Sequence, residues 1–427
     1  MGKIRLILQD WFERDLPELI PRDFAYSEYE NIDLVLTLMG VRRSGKTYTM
    51  YLIAKELVEK GVPRENIIYI NLEDDRLHPI EGGELDNILK TYHEFFDPDP
   101  KHDIFLLIDE PQSLVGWERW VRRIHETNSD VKIILSGSSS RLLSSEIAST
   151  LRGRTISKEI FPLSFKEFLE YKGFDFQDID HSSRKSILLN HLREYLEYGG
   201  FPDVIISPDK KFEILREYFR MIFFRDIVER YEVRNIRLIE DFGRILMDYS
   251  GNLFSYTKID HYFKSIGRKV SKNTLSEYMN HFISVYLMFE VPIFSYKIKD
   301  RLQYPRKIYP IDTGLRNAVV GDMPMGTLCE ILVFLHLRKT HDRIHYWKDK
   351  HGREIDFVIV EGKRPKQLIQ VCYELTDENK ERELRSLIKG MDEFDLDSSM
   401  LVTWDEAGTE QIQDKIVEKV PLWKFLL

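Results

Sequence analysis

One segment, Gly40–Thr47, constrains the fold of this chain more than any other feature of its sequence. It reads GVRRSGKT and matches the pattern G-x-x-x-x-G-K-[ST] at every fixed position. An apolar run at 34–39 precedes it, and a helical pattern from about 45 to 60 follows it. A strand before the loop and a helix after it are the context in which this pattern forms a phosphate-binding loop. We therefore predict a nucleotide site here.

The spacing within this segment suits the chemistry of phosphate binding. Glycines let the backbone curl so that successive N–H groups point at phosphate oxygens, and the following helix presents its positive end to the same anion. Lys46 is predicted to reach the β- and γ-phosphates, and the Thr47 hydroxyl is predicted to ligate Mg²⁺. The predicted nucleotide-binding residues are Gly40, Arg43, Ser44, Gly45, Lys46, Thr47, Tyr48 and Asp109.

A second apolar run, at 104–108, ends in the pair Asp109-Glu110. We predict that Asp109 holds Mg²⁺ together with Thr47, and that Glu110 is the general base for the attacking water. An acid at this second position is what a hydrolase needs. The expected cofactors are therefore ATP and Mg²⁺, and the expected reaction is ATP hydrolysis.

Apolar runs alternate with helical patterns through the first part of the chain. Strands are predicted at 34–39, 67–70, 104–108, 131–135 and 155–160. Helices are predicted at 85–96, 117–126 and 141–151. This alternation predicts the α/β class, with a parallel sheet covered by helices on both faces.

Composition restricts the class of protein further. The chain has 427 residues, which suggests two to four domains, and its net charge of −9 argues against a surface that is basic throughout. It has two cysteines without zinc-type spacing and no apolar run of about 18 residues. We therefore expect a cytoplasmic protein that does not span a membrane. The twelve histidines show no metal-ligand spacing.

The segment 164–231 is helical in period. It is interrupted at 199–202, where the sequence reads GGFP. Glycine and proline end regular helices, so several short helices are expected rather than one long helix. We predict that this segment forms a small helical lid.

The segment 255–291 resembles a winged helix. One helix precedes a turn at Gly267, and a second helix runs from about 271 to 285. Such a module continues with two strands that flank a wing. The two strands are predicted at 289–296 and 307–311, and the tip of the wing is predicted at 297–306.

Charge around this module favours DNA as a ligand. Ten Lys or Arg and four Asp or Glu lie from Lys258 to Lys307, an excess of six positive charges in an acidic chain. A local basic patch is typical of phosphate contacts. The alternative is a winged helix that serves only for packing or protein contact. The second helix would expose Lys272, Asn273, Ser276 and Glu277, and DNA contacts are expected around Lys269, Lys272 and Asn273.

Together these motifs resemble a family of archaeal and bacterial P-loop ATPases of the AAA+ type. The family has an AAA-14 domain at its N-terminal end and a DUF4143 region at its C-terminal end. The resemblance covers roughly residues 14–425. It is carried by Gly40–Thr47, Leu107–Glu110, Leu135–Ser139, Gly199–Pro202, Lys307–Leu315 (KIYPIDTGL) and Glu354–Phe357 (EIDF).

The resemblance to the AAA+ core implies further site residues. A polar residue at the end of the fourth strand senses the γ-phosphate, and Ser136 or Ser138 matches that place. An arginine finger, which completes the site of a neighbouring subunit in a homo-oligomer, precedes the fifth strand. Arg152 and Arg154 match it. The lid of the family also carries a sensor arginine, and the candidates are Arg216, Arg220 and Arg225.

The C-terminal region resembles a restriction-endonuclease-like core. That core places an acid on its first helix, an Asp after a hairpin, and E-x-K on the next strand. Glu330 and Asp356 match the first two, whereas the third position reads Gln370-Val371-Cys372. Because Mg²⁺ prefers charged oxygen ligands, we predict no nuclease activity. The residues that could restore such a site from nearby are Lys348, Lys350, Lys363 and Glu374.

The sequence thus predicts four domains. They are a P-loop ATPase core (1–162), a helical lid (163–234), a winged-helix domain (235–326) and a restriction-endonuclease-like domain (327–427). The expected function is binding and hydrolysis of MgATP, with action on DNA through the winged helix. The alternatives are a nucleotide-gated switch that binds a protein, and an ATP-coupled nuclease.

Overall fold

The computed structural model describes residues 2–78, 84–138, 151, 153–177, 179, 182–207 and 209–427. These residues form two compact units. The first unit runs to Phe161 and includes Ser284–Tyr286, and the second comprises Pro162–Ile283 and Leu287–Leu427. The finer division of the second unit into a lid, a winged helix and a C-terminal domain stays a prediction.

A five-stranded parallel sheet is the centre of the first unit. Its strands are Val35–Met39 (β1), Ile67–Asn71 (β2), Ile104–Asp109 (β3), Val131–Gly137 (β4) and Thr155–Glu159 (β5). They lie in the order β2-β3-β4-β1-β5, and every neighbouring pair is parallel. Because parallel strands end at one edge of a sheet, the loop after β1 lies at the edge where β3 and β4 end.

The helices of the first unit are amphipathic. They are Gly2–Glu13 (α1), Lys46–Glu59 (α2), Asp86–Phe95 (α3) and Trp117–Thr127 (α4). Apolar residues three and four positions apart on α2 share one core with residues of β1, namely Met50, Ile53, Leu57, Leu36 and Leu38. The helix predicted at 141–151 falls almost wholly outside the described residues.

The second unit begins with helices, as its periodicity predicts. They are Phe165–Tyr171 (α5), Ser182–Tyr198 (α6), Pro202–Ile206 (α7), Lys211–Met221 (α8) and Ile236–Asp248 (α9), with a π-helical segment at Ile222–Glu229. Ser164 begins α5 with a capping box. Its hydroxyl accepts the Glu167 N–H, and the Glu167 carboxylate accepts the Ser164 N–H.

A small antiparallel sheet with two helices follows. In chain order its elements are Leu253–Phe254 (β6), Tyr256–Ser265 (α10), Lys272–Ser284 (α11), Met288–Val291 (β7), Ile298–Gln303 (α12) and Arg306–Pro310 (β8). The strands lie in the order β6-β8-β7. The strand predicted at 289–296 is wrong in length. It ends at Val291 because Pro292 has no N–H to donate to the ladder. The predicted wing tip contains α12.

A six-stranded mixed sheet forms the C-terminal part. Its elements are Thr313–Val320 (α13), Met325–Thr340 (α14), Ile344–Lys348 (β9), Glu354–Glu361 (β10), Arg364–Cys372 (β11), Asp377–Phe394 (α15), Ser398–Thr403 (β12), Gly408–Ile412 (β13), Lys415–Pro421 (β14) and Leu422–Phe425 (α16). The strand order is β13-β14-β12-β11-β10-β9, in which β11 and β14 both pair with β12 in parallel. The predicted α/β class is confirmed.

Two glycine-containing segments, GGFP and IDTGL, meet in the second unit. The Asp312 carboxylate accepts the N–H of Leu315 (2.8 Å), which caps α13, and the N–H of Gly200 (2.7 Å). Burial raises the pKa of Asp312 to about 6, although the N–H donors oppose this shift. A Cβ atom on Gly314 would lie 2.0 Å from the carbonyl oxygen of Tyr198. Both segments therefore have a packing role.

Candidate nucleotide-binding site

The loop after β1 has a backbone that most residues adopt rarely. Gly40, Arg43 and Gly45 have φ angles of 155°, 71° and 100°. A Cβ atom on Gly40 would lie 2.1 Å from the carbonyl oxygen of Ile160, so a larger residue would collide with the backbone. The two fixed glycines of the motif therefore stand where the loop needs their conformational freedom.

Polar side chains of this loop are buried. The Lys46 ammonium donates to the carbonyl oxygens of Gly40 and Val41, each at 3.0 Å. Ser44 Oγ is buried and has no hydrogen-bond partner among the described residues. A buried hydroxyl without a partner is unfavourable, and a phosphate oxygen would supply the missing acceptor. Arg22 donates to the Ser44 carbonyl at 3.1 Å and holds the loop.

The Asp109 carboxylate is the centre of the hydrogen bonds at this edge of the sheet. Thr47 Oγ1 lies 2.6 Å and Tyr69 Oη lies 3.0 Å from Asp109 Oδ2, and Ser136 donates to the other oxygen. Asp109 and Ser136 meet because they are register partners in β3 and β4. The sequence reasoning missed Tyr69, whose only signal is one hydroxyl in the apolar run of β2. Burial, and then the Asp109 charge, raise the pKa of Tyr69, so the phenol stays a donor.

Glu110 follows Asp109 directly, and its backbone is left-handed, with a φ of 49°. Its side chain is buried and accepts a hydrogen bond from the Gln112 amide. Burial raises the pKa of Glu110, whereas the Lys46 charge lowers it and the Asp109 charge raises it. A raised pKa suits a general base that works near neutral pH. The sequence reasoning also missed Gln112.

The other predicted catalytic residues have different surroundings. Ser136 and Ser138 are both buried, and the choice between them as a γ-phosphate sensor stays open. Arg152 lies outside the described residues. Arg154 forms a partly exposed ion pair with Glu126. Its role as an arginine finger, and the homo-oligomer which that role implies, stay predictions.

The lid arginines lie on α8 and on the π-helical segment that follows it. Arg216 Nε donates to the carbonyl oxygen of Ala318 at 3.3 Å, and Arg220 pairs with Glu217 at the surface at 2.7 Å. Arg225 lies in the π-helical segment. Which of them acts as a sensor stays open.

The residues predicted to contact DNA lie at the surface. Lys269, Lys272 and Asn273 are exposed, and Lys272 Nζ donates to Thr257 Oγ1 at 2.9 Å. Lys307 is different, because its side chain is only 3% exposed. It contributes to the charge count of the segment but not to a basic surface.

The acids of the C-terminal region bind a lysine that the sequence analysis assigned only to the basic segment and not to this site. Glu330 on α14 and Asp356 on β10 both accept hydrogen bonds from Lys307 on β8. Lys348, one of the predicted replacements, instead pairs with Glu354 at 2.9 Å. Lys307 begins the largely apolar KIYPIDTGL segment, and this position was the one feature of the sequence that could have indicated a buried lysine.

Three models of protein families match successive parts of the chain. An AAA domain model matches residues 33–169, and two domains of unknown function, DUF8612 and DUF4143, match 189–325 and 325–425. The uncharacterized protein MJ1544 of Methanocaldococcus jannaschii is 38% identical over 405 residues, which cover 92% of this chain and 88% of that protein. The chain belongs to this AAA and DUF4143 family. A protein of Haemophilus influenzae is 29% identical over 361 residues, with 83% and 86% covered.

Similar solved structures include Cdc6p of Pyrobaculum aerophilum and the RuvB Holliday junction branch migration motor of Thermotoga maritima. The first has a TM-score of 0.26 and 12% identity, and covers 78% of this chain and 92% of that chain. The second has a TM-score of 0.30 and 18% identity, and covers 71% and 93%. We assign the AAA type of sheet from the family match and the strand order. None of the described helices has the length and apolar character needed to cross a bilayer.

Proposed function

We propose that this protein binds MgATP at the Gly40–Thr47 loop and hydrolyses it. The observation that carries the proposal is the 2.6 Å contact between Thr47 and Asp109, which joins the loop to the end of β3. These two oxygen ligands suit a hard cation such as Mg²⁺. The buried Ser44 hydroxyl, without a partner among the described residues, and the AAA-domain match support a bound phosphate group.

Each side chain of the site has a separate task in this proposal. Lys46 would exchange the loop carbonyls for phosphate oxygens, because a charged acceptor binds an ammonium more strongly. Thr47 and Asp109 would hold Mg²⁺, which neutralises charge on the phosphates. Glu110 would accept the proton of the attacking water. Gln112, through its hydrogen bond, would hold the Glu110 carboxylate in place.

Replacing Lys46 tests nucleotide binding. Lys46→Ala is expected to weaken MgATP binding by about 10- to 100-fold, because the phosphates lose a charge-assisted hydrogen bond. Isothermal titration with a slowly hydrolysed ATP analogue measures the effect. Lys55→Ala, on the same helix but exposed and paired only loosely with Glu59 (3.9 Å), is the matched control. Equal affinities for the two variants would contradict the proposed site.

We further propose that α10 and α11 bind duplex DNA. Three helices (α9 to α11) and three strands, with β8 between β6 and β7, have the element order typical of a winged helix, which supports this reading. Without the buried Lys307, nine Lys or Arg still stand against four Asp or Glu between Lys258 and Arg306. This excess of positive charge along the segment would suit contacts with phosphates.

The salt dependence of DNA binding tests this part of the proposal. Replacing both Lys269 and Lys272 with Ala should lower the slope of log affinity against log salt by about 2, since each lost phosphate contact removes about 0.9. Fluorescence anisotropy of a labelled duplex at several salt concentrations measures the slope. A double control, Lys55→Ala with Lys90→Ala, removes the same charge from the first unit. If both double variants keep the wild-type slope, the helix pair serves packing or protein contact instead.

A further inference from the structure

Lys307 is a buried cation surrounded by carboxylates. Its Nζ lies 2.7 Å from Asp356 Oδ1, 2.9 Å from Glu354 Oε1 and 3.0 Å from Glu330 Oε1. An ammonium group has three N–H donors, so each donor has one carboxylate acceptor here. The three acids come from α14 and β10, whereas Lys307 comes from β8, so the cluster joins three elements of the second unit.

The outer oxygens of two of these acids are also engaged. Asp356 Oδ2 accepts the N–H of Val371 at 2.9 Å, and Glu354 Oε2 accepts a hydrogen bond from Lys348 at 2.9 Å. Because a carboxylate that already accepts such donors is well satisfied, these acids have little need of a further cation.

Gln370, which stands at the third acid position of a nuclease-like centre, also forms hydrogen bonds within the protein. The Gln370 amide donates to Glu383 at 2.8 Å, and its carbonyl oxygen accepts the N–H of Asp356 at 3.2 Å. Within the described parts of the chain, no group of three or more His, Cys, Asp or Glu side chains is arranged to hold a metal ion. The acids that match metal ligands by sequence are therefore arranged around an amine.

We propose that Lys307 takes the place of the metal ion in this centre, so that an internal ammonium closes a nuclease-like acid cluster and fastens β8 to the C-terminal sheet. The N–O separations of 2.7–3.0 Å are those of charge-assisted hydrogen bonds. Mg²⁺ would require oxygens at about 2.0–2.1 Å in an octahedral arrangement. The assignment is independent of the proposed ATPase function.

The charges of the cluster are consistent with a permanently charged lysine. Burial alone would lower the pKa of Lys307, but Asp356 and Glu330 raise it well above its ordinary value. Burial raises the pKa of Glu330 to about 7, although the Lys307 charge opposes that shift. Glu330 also accepts the Tyr309 hydroxyl at 2.7 Å. Burial and the Lys307 charge thus act in opposite directions on Glu330, while the surrounding acids keep Lys307 protonated.

The first test compares metal binding by the wild-type protein and by a variant that lacks one acid of the cluster. The wild-type protein and Asp356→Asn are titrated with Mn²⁺ in the absence of nucleotide, and free Mn²⁺ is followed by electron paramagnetic resonance. Identical curves are expected, together with no Mg²⁺- or Mn²⁺-dependent cleavage of plasmid or linear duplex. Binding or cleavage that is lost in Asp356→Asn would overturn the proposal, because Lys307 would then be the lysine of a working metal centre.

Chemical rescue tests the role of the ammonium directly. Lys307→Ala lacks Cγ, Cδ, Cε and Nζ, which are the heavy atoms of n-propylammonium. Its melting temperature is expected to fall by about 10 °C or more, because buried carboxylates lose their partner. Millimolar propylammonium should raise it again by several degrees, whereas n-propanol should not, and wild-type protein should respond to neither. Equal responses to the amine and the alcohol would overturn the proposal.

If Lys307→Ala does not fold, a double variant in which two opposite charges are removed together tests the same proposal. Lys307→Met with Asp356→Asn removes the ammonium and one carboxylate together, so it should melt above Lys307→Met alone. Lys348→Met is the control for loss of a partly exposed lysine beside the same acids, and it should change the melting temperature little. A double variant that melts below Lys307→Met would overturn the assignment.

Discussion

Glu110→Gln is expected to bind MgATP with nearly the wild-type affinity and to hydrolyse it about 100- to 10,000-fold more slowly. The amide keeps the size of the carboxylate and can still contact Gln112, but it has no basic oxygen to accept a proton from water. Burial raises the pKa of Glu110 above that of an ordinary carboxyl group, which makes its carboxylate a stronger base. Phosphate release under single-turnover conditions, alongside titration with ATP, separates turnover from binding.

Glu94→Gln is the matched control for this prediction. Glu94 is exposed on α3, so the same loss of charge should leave turnover unchanged. Wild-type turnover by Glu110→Gln would show that Glu110 is not the base. If the wild-type protein itself retains ATP without hydrolysing it, the nucleotide-gated switch becomes the better description.

Gly314→Ala is expected to lower the free energy of unfolding of the second unit by about 3 kcal/mol or more. The added Cβ atom would lie 2.0 Å from the carbonyl oxygen of Tyr198 and 2.7 Å from the N atom of Gly199. Both are backbone atoms, so no side chain can rotate away to make room. A fall of roughly 6–12 °C in the melting temperature should follow and is measurable by calorimetry.

Gly326→Ala is the control, because its site differs only in the space around the glycine. Gly326 lies in the first turn of α14, and a Cβ atom there would meet only Tyr373 Cβ, at 3.7 Å. Helix propensity alone predicts that Ala at either position stabilises the protein by about 0.5–1 kcal/mol. We expect that small gain at Gly326 and the large loss at Gly314. Equal effects would show that the contact with Tyr198 does not restrict Gly314.

The KIYPIDTGL segment combines three structural roles within a few residues. Its first residue, Lys307, supplies the cation of the acid cluster, and Asp312 accepts the backbone N–H of Gly200. Gly314 allows the close approach of Tyr198. The segment thus connects the helices that follow the first unit with the C-terminal sheet.

The phosphate loop could be predicted from the sequence because its chemistry depends on residues that are adjacent along the chain. Glycine spacing, the lysine and the threonine all lie within Gly40–Thr47, between an apolar run and a helical pattern. The pair Asp109-Glu110 was readable for the same reason, since it ends an apolar run. Tyr69 and Gln112 could not be predicted in this way, because their roles depend on which strand and which turn lie beside these acids.

The parallel α/β core, the phosphate loop and the acidic pair could be predicted from the sequence, because hydrophobic period and loop chemistry act over short stretches of chain. The pairing of distant polar groups could not be predicted, because it depends on the tertiary fold. The lysine that binds Glu330 and Asp356 comes from β8, far from both acids along the chain. A buried charge takes whichever partner the fold brings within hydrogen-bonding distance, and that distance is not encoded in the spacing of residues along the chain.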